Sequence, residues 1–203
     1  MVEVKRFIFP RYSREVETEL ESHDLKRAYS FGSTRLGNLR VLGKGKTGVV
    51  VLVEGNMALK IRRVDSPKES LELEARLQLW AEGVAPKVFD YGRNFILMEF
   101  VPGRHLTRDE SPEVLMDLLE RARRLEELKI EHRELVHPWK NVLVTRERTY
   151  ILDYDSASMR ESAFNVNKIL NAYGLHELAR RYKRREMSFE EVIPLILQLF
   201  RPS

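Results

Sequence analysis

The sequence predicts an α+β fold in two parts, a sheet-rich front and a helical back. Three observations carry this. Short β-prone runs crowd residues 39–100, apolar residues at helical spacing dominate from Ser111 onward, and residues 100–103 form a natural junction between the two textures. With 203 residues, 43% of them hydrophobic, the chain can form one large domain or two small lobes around a proper core.

The elements follow in order. Residues 13–29 read as an amphipathic helix with Val16, Leu20 and Ala28 on one side. Residues 39–42, 49–53 and 57–61 read as strands, the last two joined by a Glu54-Gly55-Asn56 turn. Ser66-Pro67-Lys68-Glu69 combines a capping serine, a proline suited to the first helical position and a capping-box glutamate. It predicts a helix from there to Gly83. Leu71, Leu73, Ala75, Leu77 and Leu79 alternate as in a strand, but the segment is too long for a typical strand. Two strands follow, over 87–91 and 94–100. Ser111-Pro112 opens a helix carrying Leu115, Leu118, Leu119, Ala122 and Leu125. Strands are predicted over 142–145 and 150–152. From Ser162 the chain is helical, punctuated by Gly174, with a second capping box from Ser188 to Glu191.

Composition narrows the function classes. The chain has no cysteine, which removes disulfides and cysteine-based zinc sites and fits a reducing cytoplasm. Residues 1–17 show no apolar signal-peptide core, and no run approaches a membrane span. Two glutamines stand against 33% charged residues, a balance seen in heat-adapted proteins. A net charge of +4 suits anionic ligands without arguing for nucleic acid.

Gly43-Lys44-Gly45-Lys46-Thr47-Gly48-Val49-Val50 is a full G-x-G-x-x-G-x-V. Such glycines let backbone approach phosphate oxygens and turn between two strands. In dinucleotide folds the same motif runs into a helix; here it runs into a strand. Gly45-Lys46-Thr47 resembles the end of a Walker A loop, but Arg40 stands where that motif needs its first glycine. A ligand-free glycine hairpin is the plain alternative. Twelve residues after Gly48 comes Lys60, in Met57-Ala58-Leu59-Lys60. A lysine on a short inner strand needs an anion to offset its burial. The next helix should supply a carboxylate, Glu74 first and Glu72 second, with Glu69 used in capping.

Glu131-His132-Arg133-Glu134-Leu135 is followed by Pro138 and by Asn141-Val142-Leu143-Val144; twelve residues after Asn141 stands Asp153, in Ile151-Leu152-Asp153-Tyr154-Asp155. With Phe95-Ile96-Leu97-Met98-Glu99-Phe100-Val101-Pro102-Gly103 these segments resemble, in order, the hinge strand, catalytic loop and metal-binding segment of protein kinases. The resemblance covers roughly residues 39–160. Only 50 residues follow Asp153 and no A-P-E motif appears, so the chain resembles the small atypical kinases, the RIO family and the kinase subunit of the archaeal KEOPS tRNA-modification complex.

That resemblance implies a two-lobed protein-kinase-like fold: an N-terminal helical extension over 1–38, a small β-rich N-lobe over 39–100 and a reduced helical C-lobe over 101–203. It implies serine/threonine kinase or ATPase activity with ATP and Mg²⁺. Adenine would lie against backbone at Glu99 and Val101, beside Met98, Val50 and Ala58. The loop residues Gly43, Lys44, Gly45, Lys46, Thr47 and Gly48 would cover the phosphates. Lys60, paired to Glu74, would hold them, Asn141 and Asp153 would hold the metal, and Glu134 would orient or deprotonate the acceptor. Two rival readings stand beside it, an ATPase assembly factor in which water or an internal carboxylate takes the phosphoryl group and a non-catalytic pseudokinase that binds a partner, and kinases of small molecules share the same core. Three departures stand out: Glu134 replaces aspartate, Glu134 and Asn141 lie seven apart against five in the template, and Asp155 replaces the glycine of D-F-G. Arg180, Arg181, Lys183, Arg184 and Arg185 form a basic run. It reads as a solvated helix face, or as a docking face for RNA or an acidic partner.

Overall fold

The β-branched runs of the front half build one antiparallel sheet from strands β1 (Gly43–Lys44), β2 (Gly48–Val53), β3 (Met57–Arg62), β4 (Val88–Tyr91) and β5 (Phe95–Glu99), in the order β1-β2-β3-β5-β4. The computed structural model describes residues 1–199, and the chain falls into two units. Unit one comprises Met1–Leu79 and Pro86–Phe100; unit two comprises Trp80–Ala85 and the chain from Val101 onward.

The sheet alternates as a half-covered sheet should. Val49, Val51, Leu59, Ile61 and Phe95 share one core with Val4, Phe7, Val16 and Leu20, so residues 1–38 and the sheet bury their apolar surface together. In the register, Lys60 pairs with Val50 and with Ile96, and Ile96 packs with Leu71 and Ala75.

Two helix expectations shift. Helix α1 covers Arg14–Ser22 only, although Ser13 caps it as its position suggests. Asp24 adopts φ 60°, and the Leu25 amide returns to the Leu20 carbonyl, which ends the helix in a left-handed turn. Arg27–Ala28 then pairs with Val2–Glu3, so Ala28 is buried as a strand residue. Helix α2 spans Glu72–Trp80 and starts six residues after Ser66. Ser66 Oγ accepts from the Lys68 amide in a local turn, and no capping box forms. The segment between is held by Arg62 Nη1 donating to the Lys68 carbonyl and by the Leu71 amide donating to the Arg93 carbonyl. These tertiary bonds outweigh a local cap worth about 1 kcal/mol. The leucine alternation is no strand: Leu71, Ala75 and Leu77 are buried while Leu73 and Leu79 face solvent.

Unit two is built around α3 (Pro112–Glu127), with Ser111 at the N-cap position, where its side chain makes no capping bond, and Pro112 in the first turn. Leu115, Leu118, Leu119, Ala122 and Leu125 form a fully buried stripe. Strands β6 (Arg104–His105), β7 (Val142–Val144) and β8 (Thr149–Ile151) make a small sheet. Asp117 ties α3 to β8 by accepting from the amide and hydroxyl of Thr149, at 2.6 and 2.7 Å. Short α4 (Pro138–Asn141) precedes β7, and α5 (Asn165–Ala172), α6 (His176–Lys183) and α7 (Phe189–Leu199) complete the unit. Gly174, at φ 77°, separates α5 from α6. The Ser188–Glu191 capping box forms reciprocally, at 2.7 and 3.3 Å. Residues 200–203, the last of the helical stretch expected from sequence, lie outside the described residues. Among the described residues no helix is long and apolar enough to cross a membrane.

One ion pair gives unit two an acid limit. Both terminal guanidinium nitrogens of Arg104, Nη1 and Nη2, grip the Glu110 carboxylate, at 2.6 and 2.7 Å, and the Thr107 amide adds a third donor. Arg104 first, then Thr107, hold the Glu110 pKa down to about 2 against burial. A depressed pKa stabilises the fold above the unfolded value of 4.5, and that stabilisation is lost as pH falls towards 2. Glu110→Gln should therefore melt earlier at pH 7, with the gap to wild type closing below pH 4.5; thermal melts across that range check it.

Candidate functional site

Unit one places a buried cation beneath the glycine loop. On β3, Lys60 Nζ donates to Glu74 Oε1 of α2 at 2.6 Å, with side chains only 8% and 6% exposed. Glu72, the second candidate, lies on the exposed side of α2. The loop turns tightly between β1 and β2, its Gly45 amide donating to the Gly48 carbonyl at 2.9 Å. Gly48 is required by close approach: a Cβ there would sit 2.9 Å from both the Ile61 carbonyl oxygen and Lys60 Cγ. The stem of Lys60 therefore passes where only glycine leaves room. A Cβ on Gly43 would meet nothing within 4 Å, so that glycine has no packing reason in the fold.

The other loop residues divide. Thr47 is buried and its carbonyl accepts from the Arg63 amide, while Lys46 is exposed. Lys44 is exposed too, its ammonium 5.1 Å from the centre of the Phe9 ring. Between β3 and β5, Ala58 pairs with Met98. The Gln78 side chain reaches Met98 Sδ, and the Glu99 amide donates to the Lys87 carbonyl. Val101, which follows Phe100 into unit two, is buried.

Unit two gathers Glu134, Asn141 and the Asp153 segment. A 3-10 turn over Arg133–Val136 and then α4 absorb the longer spacing and fold Asn141 back onto the acid. Asn141 Nδ2 donates to Glu134 Oε2 at 2.9 Å, which leaves Asn141 Oδ1 as the amide's acceptor atom. The Asn141 carbonyl takes the Leu152 amide at 2.7 Å, which fixes the residue before Asp153. Asp153 itself turns the chain in a left-handed conformation, φ 64° and ψ 77°. Aspartate tolerates that geometry better than most side chains. Asp155 follows in a 3-10 turn over Tyr154–Ser156.

Behind these groups lies a support that sequence reading missed. His132 is fully buried, and its Nε2 lies 2.9 Å from the Leu152 carbonyl oxygen. A carbonyl only accepts, so Nε2 carries the proton; burial pushes the imidazole pKa down and keeps the ring neutral. Asn165, at the start of α5, accepts from the His132 amide at 2.9 Å and donates to the Ile130 carbonyl at 2.7 Å. Lys168 adds a bond to Glu131 at 2.7 Å. The only sequence signal for Asn165 was an amide at the head of an otherwise apolar helix face. The basic run is partly used within unit two: Arg180 pairs with Glu177, Arg184 lies 3.8 Å from Glu186, and Lys183 lies over Phe164.

A family model described as APH, phosphotransferase enzyme family, matches residues 38–185, well over half of the chain. No curated protein matches it.

Proposed function

The chain belongs to the phosphotransferase enzyme family, with the kinase-like α+β fold that this membership carries, and from that premise we propose that it transfers the γ-phosphoryl group of Mg-ATP to a protein serine or threonine. The observation that supports this most is the Lys60–Glu74 pair. Burying two opposite charges roughly breaks even at best, so the pair is poor stability design. It is good design for a lysine that must stay charged and aimed at phosphate oxygens.

The donor set fits a magnesium ion. Mg²⁺ prefers hard oxygen ligands and is usually bound through one or two carboxylates plus substrate phosphates. The Asp153 carboxylate and Asn141 Oδ1 are such oxygens, and the metal would offset charge on the phosphates. Glu134, its carboxylate already holding Asn141, orients the acceptor hydroxyl or takes its proton. The glycine loop and Lys60 hold the donor, so catalysis is mainly positioning and electrostatics.

Asp153→Asn isolates the carboxylate, because asparagine accepts the left-handed backbone as readily as aspartate. It should fold as wild type and lose Mg²⁺-dependent turnover by about a hundredfold or more. Equal Mg-ATP affinity and turnover in mutant and wild type would remove Asp153 from the site. Radiolabelled ATP with generic protein and small hydroxyl acceptors settles the acceptor class. Label appearing only as free phosphate supports the second reading, an ATPase assembly factor of the RIO or KEOPS-kinase kind. That reading draws on the engaged state of Glu134. A ribonucleoprotein partner at Arg181 and Arg185 belongs to the same proposal, and salt-sensitive RNA binding tests it.

A further inference from the structure

Residues 1–37 lie outside the family match, yet one of them reaches the glycine loop. Arg63, just past the end of β3, touches the loop twice within unit one. Its amide donates to the Thr47 carbonyl at 2.8 Å, and its Nη1 donates to the Gly45 carbonyl at 3.0 Å. The rest of the guanidinium is immobilised. Nε and Nη2 grip both oxygens of Asp65, at 2.8 and 2.7 Å, and the group lies 4.9 Å from the centre of the Phe9 ring. The same ring carries the ammonium of Lys44, the second residue of the loop, at 5.1 Å. Phe9 is itself anchored, since its carbonyl accepts the Val64 amide at 2.8 Å.

We propose that Arg63 and Phe9 form a latch that presets the phosphate loop, making the N-terminal segment a positioning element for nucleotide binding. This rests on the reading of residues 43–48 as the phosphate-binding element. A glycine-rich loop left alone samples many conformations, and a nucleotide must meet the entropy of ordering it. Arg63 ties down two of the loop's carbonyls from the sheet side, so that ordering is already done. Asp65 makes the tie directional, since a guanidinium gripped on one edge presents its remaining N–H at a fixed angle. The aromatic face places a common electrostatic seat under both cations, one from the loop and one from the sheet. The charged groups around the ring then serve to hold the loop, and neither Phe9 nor Arg63 has to touch the reacting atoms.

The test uses the full chain as wild type, Arg63→Ala, Phe9→Leu and Phe9→Tyr. Two quantities are read: steady-state KM and kcat for ATP, and amide hydrogen exchange at residues 45–48 without nucleotide. Arg63→Ala and Phe9→Leu should speed exchange at those amides and raise KM for ATP about tenfold, the scale of one lost charge-assisted hydrogen bond, with kcat within about twofold. Phe9→Tyr, which keeps the ring, should restore both values. Unchanged loop exchange and KM in folded Arg63→Ala overturn the latch. So does a Phe9→Tyr variant as impaired as Phe9→Leu. If wild type turns over no ATP while the exchange pattern appears as described, the latch stands and the phosphotransferase reading of the loop falls.

Discussion

Lys60→Met should yield a folded protein that has lost phosphoryl transfer by about a hundred- to a thousandfold. Methionine keeps an unbranched apolar stem of similar length, so it fills the track beside Gly48 and leaves the sheet packing in place. What disappears is the positive charge. Glu74 then stays buried without its lysine, which costs stability and pushes its carboxyl towards the protonated form. The double variant Lys60→Met with Glu74→Gln should recover the melting temperature without recovering turnover. That pair of outcomes separates a lysine kept for phosphate from one kept for the fold. Recovered turnover in the double variant, or unaffected turnover in the single one, would take the phosphate role away from Lys60.

Glu134 decides whether the proposed transfer uses acid–base chemistry. Glu134→Gln retains an oxygen for Asn141 Nδ2, so the bond at 2.9 Å can persist while the charge is removed. Transfer should fall by about a hundredfold or more, with ATP affinity and melting temperature close to wild type. Glu134→Asp should do something different. It restores the residue usual in the kinase loop, but its carboxylate is one methylene shorter and retreats from Asn141. The amide then loses its anchor, and a shift of about 1 Å is enough to harm an aligned transfer. Glu134→Asp should therefore weaken the Mg²⁺ dependence as well as the rate. If Glu134→Gln instead lowers the melting temperature and leaves turnover per folded molecule intact, the acid is a loop brace. The partner-binding pseudokinase reading then prevails.

These two variants also show how much was legible in advance. The residue types of the site, in order along the chain, were readable because each carries chemistry that few other residues supply. A glycine loop followed by a strand, a lysine among apolar neighbours and an aspartate after an apolar run are local patterns. The choice of Glu74 over Glu72 was a matter of helix phase, and the phase followed from which leucines the sheet buries. The departure at Glu134 was visible as a spacing. That the two extra residues fold into a 3-10 turn and α4, so that Asn141 turns back to bond the very acid that departs, was not.

By itself, the sequence determined the element types, the apolar stripes and the identity of the chemical groups. Periodicity and residue chemistry act within a few positions, so a single chain displays them. The tertiary structure alone decided where α1 ends and where α2 begins, and what braces the functional side chains within each unit. Helix α2 abandons its Ser66 cap because Arg62 and Arg93 bind the intervening carbonyls, and α1 stops early because Arg27–Ala28 finds a strand partner in Val2–Glu3. The supports within each unit follow the same rule. Asn165 reaches Ile130 and His132 across more than thirty residues, and Phe9 meets Arg63 across more than fifty. Hydrogen bonds and cation–aromatic contacts act at distances of a few ångströms. Their energy depends on which segments the fold brings together, and no local pattern encodes that.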